Sequence, residues 1–192
     1  MTQRTFAAVV IACAMWAYPF PDATAARAWI TFTGCSYVDH SSNDADSFTV
    51  KCGDDQFLLR LYYVDAPEAN LVYSERTREQ SEYFGATLDD TLNAGKRAKE
   101  LVRDLLGGVF DVITRKAIAP GRGAGARYYG FVRFSGKALE KELVIEGLAR
   151  IKGVIANLPD GTKSRVYLKV LAGLEEEARR QRKGLWANSK KK

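Results

Sequence analysis

Three stretches, residues 29–38, 47–52 and 56–65, carry the apolar patterning of β-strands and are separated by short runs of turn formers. Ser41, Ser42, Asn43 and Asp44 mark the first turn and Gly53, Asp54 and Asp55 the second, so the strands form a meander. Residues 69–77 are polar and irregular and predict a loop. From 78 to 106 the period lengthens to that of a helix. Tyr83 and Phe84 ahead of Gly85 predict a short helix and a break. Ala94, Ala98, Leu101, Val102 and Leu105 then recur at helical spacing until Gly107 and Gly108.

Residues 109–116 and 127–134 read as a fourth and a fifth strand around a loop, 119–126, rich in Gly, Pro and Arg. Leu139, Leu143, Val144 and Leu148 predict a second long helix ending near Gly147, and residues 150–155 are apolar and extended or irregular. Residues 164–182 place Leu168, Leu171, Leu174 and Ala178 on one helical face, Gly184 ends that helix, and Trp186 packs back. Five strands and about three helices in this order predict an α+β fold, mainly a five-stranded OB-like Greek-key barrel with helices outside. No internal repeat or linker is visible, and 192 residues at 46% hydrophobic suit one domain.

The run Arg60-Leu61-Tyr62-Tyr63-Val64-Asp65-Ala66-Pro67-Glu68 concentrates charge at the end of the third strand. Alternation puts Leu61, Tyr63 and Asp65 on one side and Arg60, Tyr62 and Val64 on the other. Pro67 lacks a ladder donor and ends the strand, which delivers Asp65 and Glu68 to an open loop. With Asp44-Ala45-Asp46 upstream, Asp46 and Asp65 and a backbone carbonyl make an oxygen-lined cation site. Calcium accepts such hard ligands and irregular geometry. Zinc lacks support, because His40 is the only histidine and the cysteines pair off. Serine-type hydrolysis lacks support as well, since no nucleophile elbow is present. Beside a cation, Glu68 is placed to orient or deprotonate a water, and Arg60 with a second arginine to grip a phosphate. A plain surface ion-pair network among Arg60, Asp65 and Glu68 is the competing interpretation.

Charge and cysteines extend the picture. The formal net charge of +6 and a pI near 9.2 favour an acidic partner such as DNA or RNA. Residues 1–25 read as a cleaved export signal: Arg4, an apolar stretch shorter than the roughly 20 residues of a membrane span, then Ala23-Thr24-Ala25. The expected mature domain is 26–189, followed by a basic tail, 190–192, in a monomer that is secreted or periplasmic and not stably membrane-associated. Cys35 and Cys52 remain as an even pair in that oxidising setting, and a hairpin between them sets the two about opposite each other.

Asp44-Ala45-Asp46-Ser47-Phe48, followed by the run 60–68, resembles the first hallmark of the staphylococcal nuclease (thermonuclease) family. That hallmark is D-G-D-T, a spacer, then R-L-x-x-V-D-x-P-E. Arg127-Tyr128-Tyr129-Gly130-Phe131-Val132-Arg133 resembles its second arginine-bearing strand. Leu143-Val144-Ile145-Glu146-Gly147-Leu148-Ala149 is similar to its L-V-x-x-G-L-A segment, and Gly184-Leu185-Trp186 to its closing G-x-W. The resemblance runs from about Gly34 to Trp186.

It implies an exported calcium-dependent nuclease acting on DNA or RNA with little sequence preference. Asp46, Asp65 and the carbonyl of Ala66 would hold calcium, Glu68 would activate water, and Arg60 and Arg127 would grip the phosphate. Arg122 lies in the same loop as Arg127, and counting back from Gly147 without gaps selects Arg127. Ala45, Ser47 and Ala66 depart from the family's glycine and two threonines. The spacer between Phe48 and Arg60 is eleven residues, one longer than usual, and an insertion around 74–90 precedes the first long helix. Tyr62, Tyr128 and Tyr129 stand near the arginines as candidates to stack on bases, whereas Tyr63 and Phe131 read as barrel packing. A catalytically weak or inactive OB-like module binding nucleic acid or protein is the alternative function.

Overall fold

The computed structural model describes residues 28–119 and 127–190. The export segment 1–25 and Arg122 lie outside the described residues. In chain order the elements are β1 (Ile30–Val38), β2 (Ser47–Cys52), β3 (Asp55–Leu61), β4 (Val64–Asp65), α1 (Ser74–Phe84) and α2 (Leu88–Leu105). They continue with β5 (Phe110–Ile118), β6 (Arg127–Phe134), β7 (Lys137–Ala138), α3 (Leu139–Ile145), β8 (Arg150–Ile151) and α4 (Ser164–Arg180). The fold is α+β, as expected from the pattern.

Strands β3, β2, β1, β5 and β6 pair in that order, and a parallel pairing of β3 with β6 closes the ring. Full closure leaves no open edge among these five strands. Alternation along β3 sends Phe57, Leu59 and Leu61 inward and leaves Leu58 and Arg60 partly exposed on the other face. The inward residues join Phe48, Val50, Val112 and Phe131 in one core. Pairing of Ser36 with Lys51 in the β1–β2 hairpin sets Cys35 across from Cys52, and a disulfide joins them.

Two expectations about the chain path need correction. The third strand does not run on to Asp65: β3 stops at Leu61, and Tyr63 adopts φ of +70°. Its amide donates to the Val154 carbonyl at 3.0 Å and its hydroxyl to the Ala156 carbonyl, so tertiary bonds replace the ladder. The simple two-sided alternation is lost, and every residue from 61 to 68 is buried. Asp65 and Glu68 are therefore buried and are not delivered to an open loop. Four α-helices surround the barrel, and the short one expected ahead of Gly85 is α1, which begins earlier, at Ser74, within the stretch that reads as loop.

The helices are placed by packing and capping. Thr87 caps α2 through a reciprocal box with Asp90: the Asp90 amide donates to Thr87 Oγ1 at 3.1 Å, and the Thr87 amide to Asp90 Oδ2 at 3.3 Å. Ala94, Ala98 and Val102 form the buried stripe of α2. Gly95 lies in the same stripe, and a Cβ there would sit 2.3 Å from the Glu68 carbonyl oxygen and 2.7 Å from that of Pro67. Only glycine lets this helix rest directly on the backbone that carries Glu68. Trp186 packs on Phe84 with ring centroids 4.6 Å apart, tying the C-terminal end back to α1. Among the described residues no helix is long and apolar enough to cross a membrane.

Candidate active site

The closing pair of the barrel sets the arginines. Register of β3 on β6 places Leu58 opposite Arg127 and Arg60 opposite Tyr129. Residues two apart share a face, so Arg60 and Arg127 project from the same side of the seam. Both line a cleft of about 710 Å³ whose wall also includes Glu68, Arg76 and Lys99. On the other flank of β3, Arg60 pairs with Ser47 of β2, which puts the 44–46 turn beside the arginine. Asp46 fastens this turn through its own backbone, since its carbonyl accepts from the Leu61 amide at 2.8 Å.

Beneath the cleft the carboxylates are gathered by guanidinium groups. Arg60 Nη1 donates to Asp46 Oδ1 at 2.5 Å and its Nη2 to Asp65 Oδ1 at 3.2 Å, so one side chain spans the two acids. The Ala66 amide donates to Asp46 Oδ2 at 2.8 Å. Asp65 also receives Arg76 Nη2 on Oδ1 at 2.6 Å and, on Oδ2, Arg150 Nε at 2.7 Å and Gln80 Nε2 at 3.1 Å. Arg150 arrives because β8 pairs with β4 in the register that sets it opposite Asp65. Gln80 is fully buried: its Nε2 also donates to the Ala66 carbonyl at 2.8 Å, and its Oε1 accepts the Glu68 amide at 2.9 Å.

These contacts set the protonation tendencies. Burial works to raise the pKa of Asp65, but Arg76, the Gln80 hydrogen bond and Arg150 outweigh it and hold the carboxyl below its ordinary value. Asp46 is pushed up by burial, with Arg60 opposing. Glu68 is raised by burial too, opposed by Arg76 and reinforced by Asp46 and Asp65. A carboxyl raised toward the working pH is better suited to take a proton than one held low. Arg127 is lowered, first by burial and then by the like charge of Arg60.

One oxygen is distinctive. Glu68 Oε1 is buried and receives no hydrogen bond, although Arg76 Nη1 lies 3.1 Å away, because that approach is off the line a hydrogen bond requires. Among the described residues no three of His, Cys, Asp and Glu are disposed to hold a metal ion as they stand. The donors nevertheless suit a hard cation. They are the carboxylates of Asp46 and Asp65 and the carbonyl of Ala66, and the Asp65 oxygen now held by Arg76 is of the kind such an ion prefers. They fit the ion on condition that a guanidinium yields its place.

Every site residue anticipated from the sequence, namely Asp46, Asp65, Ala66, Glu68, Arg60 and Arg127, is brought to this one region. Arg76, Gln80 and Arg150 were not anticipated, and all three touch Asp65. A usable signal existed in α1, where Arg76, Gln80 and Phe84 recur at intervals of four and so share one helical face. The tyrosines divide differently from expectation. Tyr62 is buried, stacked on Tyr129 at 5.2 Å and packed against Phe131 at 5.1 Å, so it is barrel core and not a platform for bases. Tyr128 packs on Phe57 at 5.5 Å, and Tyr63 and Phe131 are fully buried as expected.

Comparison with known families agrees with this geometry. A family model described as staphylococcal nuclease homologue matches residues 58–188. No curated protein matches the chain.

Proposed function

This chain belongs to the staphylococcal nuclease family, and we propose that it is an exported, calcium-dependent nuclease hydrolysing the phosphodiester bonds of DNA or RNA with low sequence specificity. The observation that carries the reading is the convergence of Arg60, Arg127 and Glu68 on one cleft directly above Asp46 and Asp65. Binding alone needs the arginines; it does not need three carboxylates gathered beneath them.

Glu68 is the base that accepts a proton from the attacking water, consistent with its raised pKa and its position on the cleft wall. The water oxygen forms the new bond to phosphorus while the bond to the leaving ester oxygen breaks, and solvent returns a proton to that oxygen. Arg60 and Arg127 grip the phosphate from the barrel seam and balance charge as it accumulates. Asp46, Asp65 and the carbonyl of Ala66 are the groups that would hold calcium, which when bound polarises a phosphoryl oxygen. The same reading takes in the rest of the chain: a signal over 1–25, one domain over 26–189, a basic tail over 190–192, a monomer, and a secreted or periplasmic destination that the Cys35–Cys52 disulfide suits.

A second reading draws on the saturation of Asp65, whose two oxygens together meet Arg60, Arg76, Arg150 and Gln80. It takes the same basic cleft as a binding module without turnover. Incubating the purified mature protein with DNA and with RNA, in calcium and then in a calcium chelator, separates the two. Cleavage that the chelator abolishes is expected, and intact nucleic acid under every divalent ion tried would remove the enzyme reading.

A further inference from the structure

We propose that Arg76 is a tethered cation that competes with the divalent ion for Asp65, so that calcium enters the site only as this guanidinium leaves. The inference deepens the calcium-site reading above and rests on it. Arg76 comes from α1, an element that no barrel strand supplies, and it bridges Asp65 Oδ1 at 2.6 Å and Glu68 Oε1 at 3.1 Å. The second contact is an ion pair without a hydrogen bond, and it leaves a buried oxygen unsatisfied. Departure of the guanidinium also frees that oxygen to accept the proton of a water.

The way α1 is anchored makes Arg76 the group able to move. One turn along the helix, Gln80 is fully buried and holds the Glu68 amide, Asp65 Oδ2 and the Ala66 carbonyl. Helix and loop are therefore locked together at Gln80, whichever way Arg76 points. Arg150, 3% exposed, keeps its own bond to Asp65 Oδ2 and Arg60 its bond to Oδ1, so the carboxylate stays oriented when Arg76 leaves. Arg60 is ill suited to leave, being 14% exposed and bonded to two acids. Arg76 is 39% exposed and already on the cleft wall, so its departure exposes a side chain that is partly in water from the start. Partly exposed ion pairs are weak, whereas a divalent ion brings twice the charge to the Asp65 carboxylate.

Isothermal titration with calcium chloride alone tests this on the wild type and on Arg76→Ala, Arg76→Gln and Arg76→Lys, with thermal melts confirming that each is folded. The two neutral variants should bind calcium more tightly, by up to about fivefold, the factor that one partly exposed ion pair represents. Arg76→Lys, which keeps the charge, should stay nearer the wild type than either. Calcium affinity unchanged or weakened in both neutral variants, or no calcium binding by any of the four proteins, would overturn the proposal. Failure of the nuclease reading is a separate result: wild type that binds calcium and yet leaves nucleic acid intact.

Discussion

The two halves of the site are held by different means. The barrel half, Arg60, Asp46 and Arg127, is positioned by ladder register: β2 beside β3 sets the 44–46 turn, and β3 beside β6 sets Arg127. The helical half, Arg76 and Gln80 from α1 with Glu68 resting on α2, is positioned by side-chain hydrogen bonds and one glycine contact. A register cannot shift slightly, because a slip of one residue reverses every side chain. A helix face set on a loop can be adjusted by one long side chain. The barrel therefore provides the fixed part of the site and the helices the adjustable part.

Glu68 is where the halves meet, and its replacement should have the largest effect. Glu68→Gln preserves shape and removes the proton acceptor, so turnover should fall by about 10²–10⁴, the usual contribution of a positioned base. Nucleic-acid affinity, measured by fluorescence anisotropy in chelator, should change little. Turnover at the wild-type level would take Glu68 out of the chemistry and leave both halves as scaffolding.

Next in size is a contrast within the arginines. Arg60→Ala removes a guanidinium bonded to Asp46, a fully buried carboxylate, and should cost on the order of 3–5 kcal/mol in urea unfolding. Arg76→Ala removes a more exposed partner from an Asp65 that retains Arg150 and Gln80, and should cost under about 1 kcal/mol. Equal losses would mean that the barrel half is no more rigidly built than the helical one.

That contrast also explains which parts were legible beforehand. Asp46, Arg60, Asp65 and Glu68 could be read because strand alternation, turn formers and family spacing all bear on the same short stretch. The helical half was hidden by its own composition. In α1 the buried positions Thr77, Gln80 and Ser81 are polar, and Phe84 is the one large apolar residue that it buries, so hydrophobic periodicity is nearly silent there. The helix was expected to start several residues late, which left Arg76 in a loop. Arg150 escaped notice because its meaning depends on pairing with a strand 85 positions earlier. Tyr63 misled for a third reason: its left-handed backbone is fixed by bonds to residues 154 and 156, which no local pattern announces.

Gly95→Ala tests the support under Glu68 with a smaller change. The added methyl meets two carbonyl oxygens of the 67–68 backbone and must push α2 or that loop aside. Overpacking of this kind costs about 1–3 kcal/mol. Because the strain falls on the Glu68 backbone, turnover at saturating substrate should drop even at temperatures where the variant is fully folded. A variant that loses stability while keeping full turnover would show that α2 supports the fold and not the placement of the base.

Lys99 gives the smallest expected effect and probes the wall of the cleft away from both halves. It extends from α2 along the cleft, and its ammonium donates to the Ser41 carbonyl at 3.3 Å among exposed atoms. If nucleic acid lies along this wall, Lys99 meets a phosphate as a solvated point charge and reads no base. Lys99→Ala should then weaken binding a few-fold, uniformly across sequences, and lower the slope of log affinity against log salt by about one. A loss confined to some sequences would place a base edge at this position, and an unchanged salt slope would mean that the nucleic acid leaves the cleft before reaching α2.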